Sequence, residues 1–201
     1  VDRIGQTPLP PYIKRPADRA DRERYQTIFA KVRGSIAAPT AGLHFTTELM
    51  TRLASGGINQ TAVTLHVGYG TFQPIRVDRV EDHQVAPEQY EMTRKAADQI
   101  NRALDEGRRI VAVGTTTTRV LESVARIGHG RMIPMMATTD LCIRPGFDFR
   151  VVSGLFTNFH LPRSSLLVLA SAFAGREFLL EAYAEAVKGR YRFYSYGDAM
   201  L

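Results

Sequence analysis

Tryptophan is absent and cysteine occurs once, as Cys142, in 201 residues. A lone thiol excludes an internal disulfide framework and any cysteine-based zinc cluster, and makes a reducing compartment the default expectation. Long apolar runs are also missing. The most apolar stretch, residues 166–174, has the length of a core helix and falls short of the ~18 residues of a membrane span. There is no block of Lys/Arg, no internal repeat, no low-complexity tract and no basic-then-apolar leader. H-E-x-x-H, G-x-S-x-G, P-loop and G-x-G-x-x-G patterns are lacking. Zinc proteases, serine esterases, P-loop enzymes and dinucleotide-binding enzymes therefore have no support.

What is present fits a globular chain. Hydrophobic residues make up 44% and charged residues 23%, close to the average for folded domains and against disorder. The net charge is +6 at pH 7, and it is dispersed. It suits a partner made of phosphates and equally suits plain solubility. Pro8, Pro10 and Pro11 fix φ and exclude a helix near the start. Residues 1–16 are expected to be an extended linker, and residues 17–201 an α/β domain. The chain begins at Val1 without a Met, and the expectation is that polypeptide preceding it is absent.

Hydrophobic spacing and caps give the element order. Residues 17–31 read as a partly exposed helix. Thr46 is an N-cap for a helix that stops at Gly56-Gly57. Residues 62–67 read as a strand and 93–104 as an amphipathic helix stopped by Gly107. Residues 109–113 form a buried strand that passes through Gly114 into a helix over 115–127. Further strands are expected at 141–143, 150–152 and 155–159, and further helices at 165–173 and 176–187. The alternation argues for an α/β fold. Residues 190–201, aromatic and glycine-containing, are expected to pack back onto the body.

Five segments carry residues suited to chemistry. Thr40-Ala41-Gly42-Leu43-His44-Phe45 is a tight loop that presents a histidine able to titrate near neutrality, just before a helix N-terminus. His66-Val67-Gly68-Tyr69-Gly70 ends a strand with two glycines that allow close backbone approach to a ligand. Gly114-Thr115-Thr116-Thr117-Thr118-Arg119 opens a helix after a buried strand, a geometry that suits a carboxylate or phosphate. Asn158-Phe159-His160 follows a strand and offers hydrogen bonds to a base or sugar. Tyr194-Ser195-Tyr196-Gly197-Asp198 sets aromatics beside a carboxylate, a combination that stacks and orients a nucleobase. Each segment also has a plain structural reading as a turn, an N-cap or core packing.

Taken together and in this order, these segments resemble the S-adenosylmethionine:tRNA ribosyltransferase-isomerase family of queuosine biosynthesis. The matching stretches include Pro8-Leu9-Pro10-Pro11-Tyr12-Ile13, Ala38-Pro39-Thr40-Ala41-Gly42-Leu43-His44-Phe45-Thr46, Leu65-His66-Val67-Gly68-Tyr69-Gly70-Thr71-Phe72, Val113-Gly114-Thr115-Thr116 with Arg119, Leu121-Glu122-Ser123, Thr157-Asn158-Phe159-His160-Leu161-Pro162 and Tyr196-Gly197-Asp198-Ala199-Met200-Leu201. The resemblance spans nearly the whole chain.

The resemblance implies an α/β main domain, barrel-like or built on mixed sheets, here lacking the family's N-terminal part and its small inserted β-barrel domain. It implies transfer and isomerisation of the ribosyl unit of S-adenosylmethionine onto the 7-aminomethyl-7-deazaguanine wobble base of tRNA. The product would be epoxyqueuosine, with release of adenine and methionine. S-adenosylmethionine is then a donor substrate, no metal is needed, no membrane is involved, and the enzyme is cytoplasmic and a monomer or weak oligomer. His44, His66 and Asp198 are the implied catalytic residues. Thr40, Gly42, Phe45, Gly68, Gly70, Thr115, Thr116, Arg119, Asn158, His160 and Tyr196 are the implied substrate-binding residues.

Two departures stand out. The family's second histidine after His83 is Ala86 here, and the aromatic residue before Pro145-Gly146 is Arg144. They keep two alternatives open: a catalytically reduced relative that binds tRNA or nucleotide without turnover, and a relative that acts on a different acceptor.

Overall fold

The computed structural model describes Leu9 and residues 13–35, 37–68 and 74–201. Six helices and six strands are described: α1 (Arg19–Arg24), α2 (Thr47–Ser55), β1 (Thr64–His66), β2 (Glu88–Met92), α3 (Arg94–Asp105), β3 (Val111–Val113), α4 (Thr115–Ile127), β4 (Met135–Thr139), β5 (Gly154–Asn158), α5 (Ser165–Ala174), α6 (Arg176–Lys188) and β6 (Ala199–Met200). The strands form two small sheets, so the architecture is mixed α/β. One sheet is antiparallel in the order β1-β2-β4, with Leu65 opposite Tyr90 and Tyr90 opposite Ala137. The other is mixed, in the order β3-β5-β6. β3 runs parallel to β5, with Ala112 opposite Leu155, and β6 runs antiparallel to β5.

Helix starts follow their caps. The hydroxyls of Thr46, Thr93 and Ser164 accept from the N–H of Leu49, Ala96 and Leu167 and open α2, α3 and α5. Each satisfies one of the N–H groups that a first turn leaves unpaired. Gly107, at φ +65, follows α3 and continues the chain in a conformation that side chains resist.

The main core lies between α3, α4 and the antiparallel sheet. It joins Tyr90 and Met92 of β2 to Ala96, Ala97 and Ile100 of α3 and Val120, Leu121, Val124 and Ala125 of α4. A smaller cluster of Ile143, Leu155 and Leu169 sits under α5. α4 packs on β3 and β5 of one sheet and on β4 of the other, so it is the element that joins them. Nine of its thirteen residues are buried. Three of those nine are Arg119, Glu122 and Thr118, which are held by polar partners.

The differences from the sequence expectations have physical causes. Residues 141–143 and 150–152 are not strands. The Leu141 N–H is taken by the Thr139 hydroxyl. The N–H groups of Arg150, Val151 and Val152 all donate to the buried carboxylate of Glu122, which replaces a neighbouring strand. The helix expected over 17–31 is only α1, because the buried Tyr25 caps it and packs on Tyr196 with ring centroids 5.2 Å apart. β2 and β4 were not anticipated. β2 buries only alternate residues, Glu88, Tyr90 and Met92, and one of those three is charged. The linker reading falls on residues that lie largely outside the described ones.

Residues 190–201 do pack back onto the body. β6 pairs with the end of β5, the Phe159 N–H donates to the Asp198 carbonyl, and the Tyr194 N–H donates to the Phe159 carbonyl. Rings of Phe159, Tyr183, Tyr191 and Phe193 close over the junction at centroid distances of 5.2–5.7 Å.

Candidate active site

Four separate stretches of chain converge on one shallow cleft that is open to solvent. Its walls are Ala38, Pro39, Thr40 and Ala41; Gly114 to Thr117 at the start of α4; Thr157, Asn158 and His160 at the end of β5; and Tyr194 and Ser195 from the returning C-terminal stretch, with Val67 and Leu166 completing it. None of these side chains is a lysine, arginine or carboxylate.

The first wall is a 3-10 turn, Thr40–His44. Gly42 lets it pack tightly: a Cβ there would meet the Thr27 methyl at 3.1 Å and the Phe29 ring at 3.3 Å. Phe45 anchors the turn through edge-on contact with Phe156, at 5.1 Å, and a tilted contact with Phe29, at 6.0 Å. The turn delivers Thr40 and His44 to Asn158. The Thr40 hydroxyl lies 3.2 Å from Asn158 Oδ1 and donates to it. The Asn158 amide nitrogen lies 3.1 Å from His44 Nε2. An amide nitrogen only donates, so Nε2 accepts and the ring proton sits on Nδ1. Burial lowers the pKa of His44, with Asp198 opposing and Arg192 reinforcing the shift. The imidazole is therefore neutral at pH 7, the form a general base needs.

Asp198 accepts from the Arg192 backbone N–H at 2.7 Å and from its guanidinium at 2.9 Å. Those bonds hold its carboxyl below the usual range. It is ionised and placed to act on His44 electrostatically while it locks the C-terminal turn. His160 is buried. Its Nε2 is 2.9 Å from the Thr157 hydroxyl, and its backbone N–H donates to the Tyr183 hydroxyl at 2.8 Å. Burial pushes its pKa down to about 4, so it is a fixed neutral donor or acceptor and no proton shuttle near pH 7.

At α4 the N-cap is Gly114, at φ +94, and no side chain caps the helix. Thr115, Thr116 and Thr117 line the cleft, with the unpaired N–H groups and partial positive charge of a helix start.

Of the residues singled out in the sequence, Thr40, Thr115, Thr116, Asn158 and His160 line the cleft, and His44 joins it through Asn158. Others go elsewhere. Arg119, expected to hold an anionic group, is buried in an ion pair with Glu88 at 2.8 Å and donates to the carbonyls of Leu141 and Thr139. It sits more than a turn into α4, on the side that faces the antiparallel sheet. Tyr196, expected to orient ligand, packs at a tilt against Tyr25 and donates to Asp21 at 3.4 Å. His66 is outside the lining. Its ring packs on Gly34, where a Cβ would lie 2.4 Å from Nδ1, while the next residue, Val67, turns to the cleft. Gly68 lies next to the cleft but outside its lining, and Gly70 lies outside the described residues.

Tyr194 and Ser195 belong to the aromatic C-terminal segment singled out in the sequence, although neither is among the implied binding residues, and both line the cleft. Tyr194 adopts φ +75, a sparsely populated conformation for a bulky residue. Among the described residues, no group of three or more His, Cys, Asp or Glu side chains could hold a metal ion, and no helix is long and apolar enough to cross a membrane.

Comparison with known proteins places this geometry in a family. The family described as queuosine biosynthesis protein matches residues 1–201. The S-adenosylmethionine:tRNA ribosyltransferase-isomerase of Carboxydothermus hydrogenoformans is 56% identical over all 201 residues, and that of Aquifex aeolicus 54%. In both cases the match covers 58% of the relative, so the chain spans rather more than half the length of these curated relatives. The crystal structure of the S-adenosylmethionine tRNA ribosyltransferase from Thermotoga maritima superposes with a TM-score of 0.65 at 45% identity, over 80% of this chain and 50% of that one. A match along its entire length, with relatives more than half identical, makes the chain a member of the queuosine biosynthesis protein family.

Proposed function

We propose that the cleft binds S-adenosylmethionine as a ribosyl donor and serves its transfer and isomerisation onto the 7-aminomethyl-7-deazaguanine wobble base of tRNA. Epoxyqueuosine would form, and adenine and methionine would leave. The observation that carries this reading is the convergence of four distant stretches on one uncharged cleft with a neutral histidine at its edge. The relatives named above support the donor and the RNA acceptor.

The reaction sets its own demands. A proton next to the sulfonium is removed, adenine departs, and the amine of the base attacks. His44, neutral and oriented by Asn158, is the base we assign, taking the substrate proton at Nε2 once the donor displaces the Asn158 amide from that nitrogen. Asp198 stabilises the imidazolium that results. Asn158, His160 and the Thr115-Thr116 helix start position the donor. An aromatic wall at Tyr194 suits a nucleobase. Gly42 and Phe45 hold the turn that carries His44, and His66 is kept as a second proton-transfer candidate beside the cleft. We further propose a cytoplasmic protein, monomeric or weakly associating, that needs no metal for this step.

Incubation with S-adenosylmethionine labelled in the ribose, together with tRNA bearing the aminomethyl base, tests the reading. Adenine release with label entering the tRNA is the expected result. Ala86, at the place of a family histidine, favours the second reading, a binder without turnover. Binding of tRNA without adenine release would establish that reading instead. Adenine release only with another acceptor would redirect the specificity.

A further inference from the structure

We infer that Ser195 and the uncapped first turn of α4 together form a carboxylate subsite that recognises the amino-acid end of the donor. The inference rests on the donor reading above and assigns a residue and a ligand group to it. Two independent observations meet in the same cleft. The first is the helix start. Gly114 supplies no side-chain cap, its φ of +94 favours glycine, and a Cβ there would meet only Ala41 at 3.7 Å and the Thr117 hydroxyl at 4.0 Å. The N–H groups of the first turn are left for an anion.

The second is Ser195. It is 3% exposed, it lines the cleft, and its hydroxyl is buried with no hydrogen-bond partner. Buried hydroxyls are nearly always paired, so an unpaired one in the wall of a cleft points to a partner that arrives with a ligand.

The chemistry of the walls selects the anion. No described lining side chain is charged, and Arg119 is committed to Glu88 on the far side of α4. Proteins that hold nucleic-acid phosphates rely on Lys and Arg. Oriented N–H groups plus one hydroxyl, without a cation, suit a single carboxylate that carries its own neighbouring ammonium. Placing it there leaves Tyr194 and the Thr40–Asn158–His44 side for the nucleoside. Ser195 reaches the cleft only because residues 190–201 fold back, so the C-terminal stretch is part of the donor site.

The test is calorimetric titration of the 201-residue protein with S-adenosylmethionine and with its decarboxylated analogue. The intact protein is expected to prefer S-adenosylmethionine by ~10- to 100-fold, the worth of hydrogen bonds to a charged group. Ser195→Ala should remove most of that preference and leave affinity for the decarboxylated analogue unchanged. Ser195→Thr, which keeps the hydroxyl, should retain part of it. Unliganded Ser195→Ala should resist urea at least as well as the parent, because it deletes an unsatisfied group. A loss of stability would mark a structural serine and overturn the inference. Equal binding of the two ligands by the parent protein would also overturn it and leave the donor reading standing. Displacement of S-adenosylmethionine by millimolar inorganic phosphate, with no carboxylate preference, would assign the subsite to a phosphate instead. Binding of neither ligand would overturn both this inference and the donor reading.

Discussion

Replacing Arg119 by Met separates two roles that its position could serve. The guanidinium is 3% exposed. It donates to Glu88 at 2.8 Å, to the Leu141 carbonyl at 3.0 Å and to the Thr139 carbonyl at 3.2 Å. Burial alone would lower its pKa, and the nearby Glu88 counters that. Arg119→Met leaves the Glu88 carboxylate, itself 3% exposed, buried without its cation. Breaking a buried pair from one side costs ~3–5 kcal/mol. That is a large share of the ~5–15 kcal/mol by which a domain is stable. At a urea slope of ~2–3 kcal/mol per molar for a chain of this size, the unfolding midpoint should fall by ~1–2.5 M. Adding Glu88→Gln removes the stranded charge and should restore roughly 1–2 kcal/mol, a coupling of the size that contacting residues show. Circular dichroism in urea reads both variants. Unchanged stability in Arg119→Met, together with a selective rise in the KM for S-adenosylmethionine, would place the guanidinium in the cleft and refute the reasoning.

Further outcomes follow from the same contacts. His44→Ala should lower turnover ~10²-fold or more. In Asn158→Asp a carboxylate would face His44 Nε2, so the acidic limb of the pH–rate profile should move to higher pH; an unmoved limb would remove His44 as the base. His160 carries a sign for stability. The unfolded chain takes up a proton near pH 6.5, which the folded chain refuses until about 4. Stability from this group is therefore full above 6.5 and is lost as pH falls toward 4. At 1.36 kcal/mol per unit, the stability gap between the parent and His160→Gln should shrink by about 3 kcal/mol over that window in urea titrations. In Gly197→Ala a new Cβ would lie 2.4 Å from the Arg192 carbonyl oxygen and 2.5 Å from the Phe193 carbonyl carbon. It should undock the C-terminal stretch at a cost of roughly 1–3 kcal/mol, read by urea unfolding and by lost ligand binding.

Much of the fold could be read from local chemistry. The cap Thr46 announces its helix, and the start of α4 at Thr115 follows from the glycine after β3, although the strand expected to be buried there buries only Ala112 and leaves Val111 exposed. Short strands were harder. β2 buries a glutamate, and its burial makes sense only once Arg119 is placed beside it. Glu122 shows the converse. Residues 150–152 look like a strand in sequence, yet a side chain from α4 satisfies their backbone.

The cleft was legible where backbone geometry carries it, at Thr40, Thr115, Thr116 and Asn158. Long side chains such as Arg119 and Tyr196 were misjudged because their direction is set by tertiary partners, Glu88 in one case and Tyr25 with Asp21 in the other. The residue types pointed to the Tyr194-Ser195 segment, and the left-handed turn at Tyr194 is what brings these two side chains to the site.

In the proposed function, one cleft, walled by the Thr40 turn, the start of α4, Asn158 and the Tyr194-Ser195 turn, takes the donor nucleoside. A crystal structure of the protein soaked with S-adenosylmethionine measures this directly. Density for the adenosyl group is expected between Asn158 and Tyr194, with the sulfonium arm running toward the N–H groups of Thr115 to Thr117. A nucleoside bound on any other face, with this cleft left to solvent, would contradict it.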